Sequence, residues 1–275
     1  MSAGIGRSGA AVPVVGALPA SWRLVRATVH MLHGLWIIRT QFPRVDEAGR
    51  HARIRWWSRK LLAVLGVELV ATGTPRPGAS LLVSNHVSWL DIIALHCVVP
   101  QARFVSKADV RAWPVVGALV TGAGTLYIER ERKRDALRVV HQMAEAMGQG
   151  DTVAVFPEGT TSDGRALLPF HANLLQAAIA TAVPVQPAVL RFADPVHPVS
   201  PSAEYVGDTT LLQSLWRIAR TRGLVVHVDL LAPEGTAHAD RRRLADRLRS
   251  EIGARLAEAQ GLEGATAEAS AGEPA

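Results

Sequence analysis

The sequence predicts an α/β protein, with a mostly parallel or mixed sheet flanked by helices on both faces and two amphipathic helices in front. Three observations predict it. From residue 67 onward, short apolar runs of strand character alternate with longer helical patterns. Hydrophobic residues make up 48% of the 275 positions, ample for a core. The stretch before residue 67 has another character, with arginines and tryptophans at helical spacing.

Residues 1–20 read as a disordered arm, because Pro13 and Pro19 interrupt an apolar run that otherwise resembles a weak signal peptide. From Trp22 to Ile38, a turn of about 100° per residue gathers Arg23, Arg26, His30 and His33 on one narrow side and leaves the remaining arc apolar. Residues 47–65 repeat the design, with Ile54, Trp57, Leu61 and Val64 on one stripe and Arg50, Arg53, Arg55, Arg59 and Lys60 around it. Two adjacent basic helices carrying Trp read as a segment, residues 21–66, that associates with a membrane surface of anionic lipid. Ordinary helices packed on the domain are the competing reading. No run of about eighteen uncharged apolar residues occurs, so a peripheral attachment is expected rather than a span.

Strands are expected at Val67–Ala71, Leu81–Val83, Arg103–Val105, Leu126–Ile128, Val153–Phe156, Val185–Leu190 and Val225–Leu230. Helices are expected at Leu90–Val98, Ala108–Val120, Arg132–Met147, Asn173–Thr181, Leu211–Thr221 and Asp240–Ala259. They define a domain over residues 67–260, and residues 261–275 read as a disordered, low-complexity tail. The formal charge of +6 favours an anionic partner. The run of Arg241, Arg242, Arg243, Arg247 and Arg249, interleaved with Asp240, Asp246 and Glu251, reads as a solvated helix face, and no nucleic-acid motif accompanies it. Cys97 is the only cysteine, which excludes an intrachain disulfide and fits a reducing cytosol. His30 and His33 have no third ligand nearby, so no metal is expected.

Chemistry concentrates where strands end, the usual place for sites in such sheets. His86 falls in the turn after the second strand, with Asp91 one turn into the next helix. A paired His and Asp is the minimum equipment for taking a proton from a hydroxyl near neutral pH. Ser88 to Asp91 equally fits a capping box, in which Asp91 only starts a helix. Two more strand ends carry polar residues: Gly124 to Arg130, ending in Glu129-Arg130, and Phe156-Pro157-Glu158-Gly159-Thr160-Thr161-Ser162. No Gly-x-Ser-x-Gly elbow and no phosphate-binding P-loop is present.

These segments resemble the glycerolipid acyltransferase family, whose best-known members are the lysophosphatidic acid acyltransferases. Asn85, His86 and Asp91 match the Asn-His, four residues, Asp signature. Gly124 to Arg130 is similar to the second block, with Tyr127 where Phe is usual, and Phe156 to Thr160 matches the third in full. Val183-Pro184-Val185-Gln186-Pro187 resembles a fourth. The resemblance implies the glycerolipid acyltransferase fold and transfer of a fatty acyl group from acyl-CoA or acyl-carrier protein to a lysophospholipid hydroxyl. It implies no cofactor beyond that co-substrate.

In that chemistry His86 is the base and Asp91 orients it. Asn85 and backbone N–H groups around Gly159 either hold the motif together or face the developing charge. Glu158 either binds the acceptor or braces Arg130. Arg130 and Lys107 are candidate phosphate partners, although Lys107 reads equally as a solvated loop cation. Gly124, Glu129, Thr160 and Thr161 complete the substrate-binding set. Thr161 stands where the family commonly has Arg, a departure similar to bacterial branches that acylate other lyso-lipids such as lyso-ornithine lipids. The resemblance also implies a peripheral location on the cytoplasmic face of the inner membrane. A non-catalytic membrane-binding protein of the same fold is the rival, against which the intact His86, Asp91, Glu158 and Arg130 speak.

Overall fold

The computed structural model describes residues 11–128 and 133–271. Two helices come first, α1 (Ala17–Thr40) and α2 (Glu47–Leu65), joined through a 3-10 turn at Phe42–Arg44. The strands are β1 (Val67–Thr72), β2 (Ser80–Ser84), β3 (Arg103–Lys107), β4 (Leu126–Ile128), β5 (Thr152–Val155), β6 (Val185–Ala193) and β7 (Leu224–Leu230). Between and after them lie α3 (Leu90–Val98), α4 (Val116–Gly122), α5 (Lys133–Gly148), α6 (Gln176–Ala180), α7 (Leu211–Arg220) and α8 (Arg241–Ala271).

The strands form one sheet in the order β1-β7-β6-β2-β5-β3-β4. Only the β6–β7 pairing is antiparallel, so the sheet is mixed: β6, β2, β5, β3 and β4 run one way, β1 and β7 the other. The carboxyl ends of β2, β3, β4 and β5 therefore share one edge. All five residues of β2 are buried, as a strand covered on both faces requires. Leu81 and Val83 pack with Met143, Ala178 and Leu248 of α5, α6 and α8. Leu82 packs on the other side with Leu61, Leu90 and Leu95 of α2 and α3. Ala27 of α1 and Leu62, Val64 and Leu65 of α2 belong to that same core, so the first two helices are part of the domain's packing.

Several boundaries differ from expectation for local reasons. The expected helix at Ala108–Val120 breaks into a 3-10 turn at Ala108–Ala112 and α4, because Pro114 forces Trp113 into an extended conformation (φ −71°, ψ 129°). Of the arm expected at residues 1–20, the described part is ordered. α1 begins at Ala17, with Pro19 in the first turn, where its missing N–H removes no helical bond. Ahead of it, Val15 N–H donates to Arg220 O at 2.7 Å and Arg222 N–H to Pro13 O at 2.8 Å. At the other end, α8 runs to Ala271 where a disordered tail from 261 was expected; Ala and Glu, abundant there, are strong helix formers.

Part of the basic stripe of α1 turns inward, although Arg26 stays exposed. Arg23 donates to Ala219 O at 2.9 Å and Thr221 O at 3.1 Å, and His30 is buried, with Nε2 2.9 Å from Trp57 O and its ring stacked on Trp57. Outward instead face Leu18, Trp22, Val25, Val29, Leu32 and Trp36, every one of them more than half exposed. Glycine permits the close seat: a Cβ on Gly34 would meet Trp57 Nε1 at 2.5 Å and Leu119 Cδ2 at 2.8 Å. Among the described residues no helix is long and apolar enough to cross a membrane.

His96, in α3 and 5% exposed, lies edge to face on Phe104 at 4.9 Å. Burial pulls its imidazole from 6.5 down to about 4, against the opposing pull of the Pro100 carbonyl. The folded protein thus holds this ring neutral while the unfolded chain would protonate it. Its contribution is complete above pH 6.5 and is lost as pH falls towards 4, a window equivalent to about 3 kcal/mol. Urea unfolding measured across that window should show the loss in wild type and a flatter profile in His96→Phe. An equally steep fall in the variant would remove His96 as the cause.

Candidate active site

Beyond β2 the chain turns through residues 85–89 into α3, and the turn is fixed at both ends. Asn85 is fully buried; its Nδ2 donates to Leu190 O and its Oδ1 accepts the Leu190 N–H, both at 2.8 Å. Of the two roles left open for Asn85, the structure assigns the internal one, tying the turn to β6 rather than touching substrate. At the other end Asp91, also fully buried, gathers three donors on a single oxygen. Oδ2 lies 2.7 Å from His86 Nδ1 and accepts the N–H groups of Val87 at 2.7 Å and Ser88 at 2.9 Å.

An ionised carboxylate only accepts, so Nδ1 carries the ring proton and Nε2 keeps its lone pair. Nε2 makes no hydrogen bond among the described residues, and the His86 side chain is 19% exposed. Half of a capping box is present as well. Asp91 takes the Ser88 N–H, but Ser88 Oγ has no partner among the described residues and Trp89 occupies the N-cap. One carboxylate thus starts the helix and holds the imidazole.

The loop after β5 closes over this turn. Phe156 stacks on the His86 ring with centroids 4.0 Å apart and planes within 9°, shielding one face from water. Glu158 is 4% exposed; Oε1 accepts the His86 N–H at 2.7 Å and Oε2 the Leu168 N–H at 2.9 Å. Its carboxylate is a brace for the His86 backbone, not a contact reaching out to an acceptor. Burial pushes its carboxyl above the ordinary value, opposed by the N–H groups of Leu168 and His86. Ser162 N–H donates to His86 O at 2.8 Å, completing the closure. Gly159 has φ +71°, and a Cβ there would meet the His171 ring at 2.9 Å.

Other expected residues fall in different places. Lys107 is exposed at the carboxyl end of β3, on the same edge as His86. Thr160 is exposed, while the Thr161 hydroxyl donates to Tyr205 O. Gly124 precedes β4 and so lies by the amino ends of the strands, where its carbonyl accepts from Arg103 Nε at 2.9 Å. That is a turn at the far edge, not a substrate contact, since a three-residue strand of about 10 Å intervenes. Glu129 and Arg130 lie outside the described residues. Leu168 and Tyr205, whose N–H donates to Val87 O at 3.2 Å, shape the site without any signal in the sequence, because both act through the backbone.

An apolar cavity of about 210 Å³ lies behind the turn. α1, α2, α3 and α4 wall it with Gly34, Ile37, Trp57, Leu61, Ile92 and Leu119. Phe104, also in its wall, is 5.8 Å from Phe156, so two ring layers separate the cavity from His86. Such a lining favours an apolar occupant over water. Among the described residues, no group of three or more His, Cys, Asp or Glu side chains is placed to hold a metal.

A family model described as Acyltransferase matches residues 68–191. The lyso-ornithine lipid O-acyltransferase of Pseudomonas aeruginosa is 37% identical over 212 residues, covering 76% of this chain and 81% of that one. The 1-acyl-sn-glycerol-3-phosphate acyltransferase of Neisseria meningitidis is 36% identical over 203 residues, covering 73% and 79%. The crystal structure of the 1-acyl-sn-glycerophosphate (LPA) acyltransferase PlsC from Thermotoga maritima superposes with a TM-score of 0.68 at 21% identity, over 88% of this chain and 94% of the other.

The left-handed backbone and the His171 ring together make position 159 intolerant of a side chain. Gly159→Ala should cost about 1–3 kcal/mol in urea unfolding. An unchanged midpoint would show that the loop has another conformation open to it.

Proposed function

We propose that this chain, which belongs to the acyltransferase family and is a lysolipid O-acyltransferase, transfers a fatty acyl group from acyl-CoA or acyl-carrier protein to 1-acyl-sn-glycerol-3-phosphate, giving phosphatidic acid. The observation that carries the mechanism is the 2.7 Å contact between His86 Nδ1 and Asp91 Oδ2, which leaves Nε2 as a base at the strand edge. The thioester is already activated, so no covalent enzyme intermediate is required. Nε2 takes the proton of the lipid hydroxyl as its oxygen attacks the thioester carbonyl. The buried Asp91 stabilises the imidazolium so formed. Collapse of the tetrahedral intermediate breaks the C–S bond, and Nε2–H returns the proton to the leaving thiolate. The apolar cavity behind Phe104 and Phe156 suits an acyl chain.

One observation favours a second acceptor. Thr161 replaces the Arg common in the family and gives its hydroxyl to Tyr205 O, so this position supplies no cation for a phosphate. A lyso-ornithine lipid, which lacks a phosphate, is the acceptor that this favours.

We also read α1 as a peripheral membrane contact on the cytoplasmic face of the inner membrane. Its outward row of apolar side chains is a patch of the kind that marks an interaction surface. Exposed Arg55, Arg59 and Lys60 on α2 supply charge for anionic lipid.

Thiol release from acyl-CoA, measured with a panel of lyso-lipids, tests the reading; silence with every acceptor would end it. His86→Ala should lower kcat by about 10²–10⁴ with the fold intact. Wild-type turnover in that variant would refute His86 as the base. The double variant Trp22→Ser, Trp36→Ser should float less with vesicles of anionic lipid while keeping its circular dichroism, and undiminished flotation would refute the membrane role of α1.

A further inference from the structure

Arg249 belongs to the charged run on α8, yet its guanidinium is not simply solvated. Nε donates to Leu168 O at 3.0 Å and Nη2 to Leu167 O at 2.8 Å. From Leu168 the contacts continue inward: its N–H donates to Glu158 Oε2 at 2.9 Å, and Glu158 Oε1 accepts the His86 N–H at 2.7 Å. One residue on the surface of α8 therefore reaches the backbone of the base through a single peptide and a single carboxylate. Further along α8, Gln260 Nε2 donates to Gly164 O at 3.3 Å, a second hold on the same loop. Neighbouring Arg247 pairs instead with Glu234, its Nη2 2.7 Å from Oε2, and makes no bond to that loop among the described residues.

We propose that Arg249 is a positioning residue for acyl transfer, holding residues 167–168 so that Glu158 keeps His86 in register for proton removal. The inference rests on His86 being the base. Two carbonyls captured by one planar fork fix a loop in orientation as well as in place, which a surface lysine or a solvent shell does less well. Glu158 is nearly surrounded by protein, so its two backbone donors are what its charge depends on. Releasing Leu168 takes one of them away and lets the carboxylate, and with it the turn at residue 86, relax.

The test compares Arg249→Ala, Arg249→Lys and Arg247→Ala in the full chain. Hydrogen exchange at the His86 and Leu168 amides is read beside kcat and KM for acyl-CoA. Arg249→Ala should speed exchange at both amides and lower kcat about tenfold, with KM for the thioester and the melting temperature close to wild type. Arg249→Lys should restore part of both, and Arg247→Ala should change neither. In a Glu158→Gln background, Arg249→Ala should add little further loss, because both changes cut the same chain of contacts.

Wild-type kcat in Arg249→Ala overturns the proposal, whatever exchange does. So does a kcat loss without faster exchange at His86, since Arg249 would then act by another route, and so does an equal loss in Arg247→Ala. Should Arg249→Ala fail to fold, Arg249→Gln carries the same comparison under the same criteria. The exchange readings do not depend on turnover, so a wild-type protein inactive with every acceptor would fail the acyl-transfer reading separately from the contact chain.

Discussion

A single carboxylate oxygen organises this molecule. Asp91 Oδ2 receives the His86 ring proton and the N–H groups of the next two residues, and Asp91 is fully buried. Three donors around one buried oxygen satisfy it in a place where an unpaired polar group would be costly. Once it is fixed, the turn after β2 has one shape, and the imidazole has one tautomer and one direction. What surrounds it, the Asn85 bridge to β6, the stacked Phe156 and the Glu158 brace, serves to keep that short turn from moving.

The sheet makes this possible by stacking parallel strand ends on one edge, so that segments distant in sequence close over His86. A reversal of direction matters equally. Because β7 runs against β6, the chain leaves it at the opposite edge, and α8 travels back along the sheet towards the site. That return course brings Arg249 and then Gln260 alongside residues 164–168. A conventional crossover helix would start at the site and lead away from it.

What sequence made legible was whatever repeats with a period or sits within one turn of chain. The positions of all seven strands could be read because each is a short apolar run bounded by polar or turn residues. The His86–Asp91 pair could be read because five positions bridge a turn into a helix. Glu158 stands out within its motif, but nothing local says that its oxygens meet backbone N–H groups at 86 and 168. The inward direction of Asn85 and the edge on which Gly124 turns are not legible for the same reason: family motifs mark positions, while the direction of a side chain or the edge on which a turn lies comes from tertiary pairing. Which side of α1 faces outward is not legible, because an amphipathic pattern does not say which side is wet. On its basic side Arg23 and His30 find carbonyl partners inside, at Ala219, Thr221 and Trp57, while Arg26 is exposed.

The first two helices have a further significance. Ala27, Leu61, Leu62 and Leu65 lie in the same core as Leu82, Ala188 and Val226 of the central strands. The chain ahead of residue 67 is consequently no detachable appendage. A fragment starting at β1 would lay bare the part of that core which α1 and α2 cover and open the cavity on their side. The outward row of α1 is thereby in mechanical contact with the chamber beside the turn at residues 85–89, with only the thickness of one helix between them.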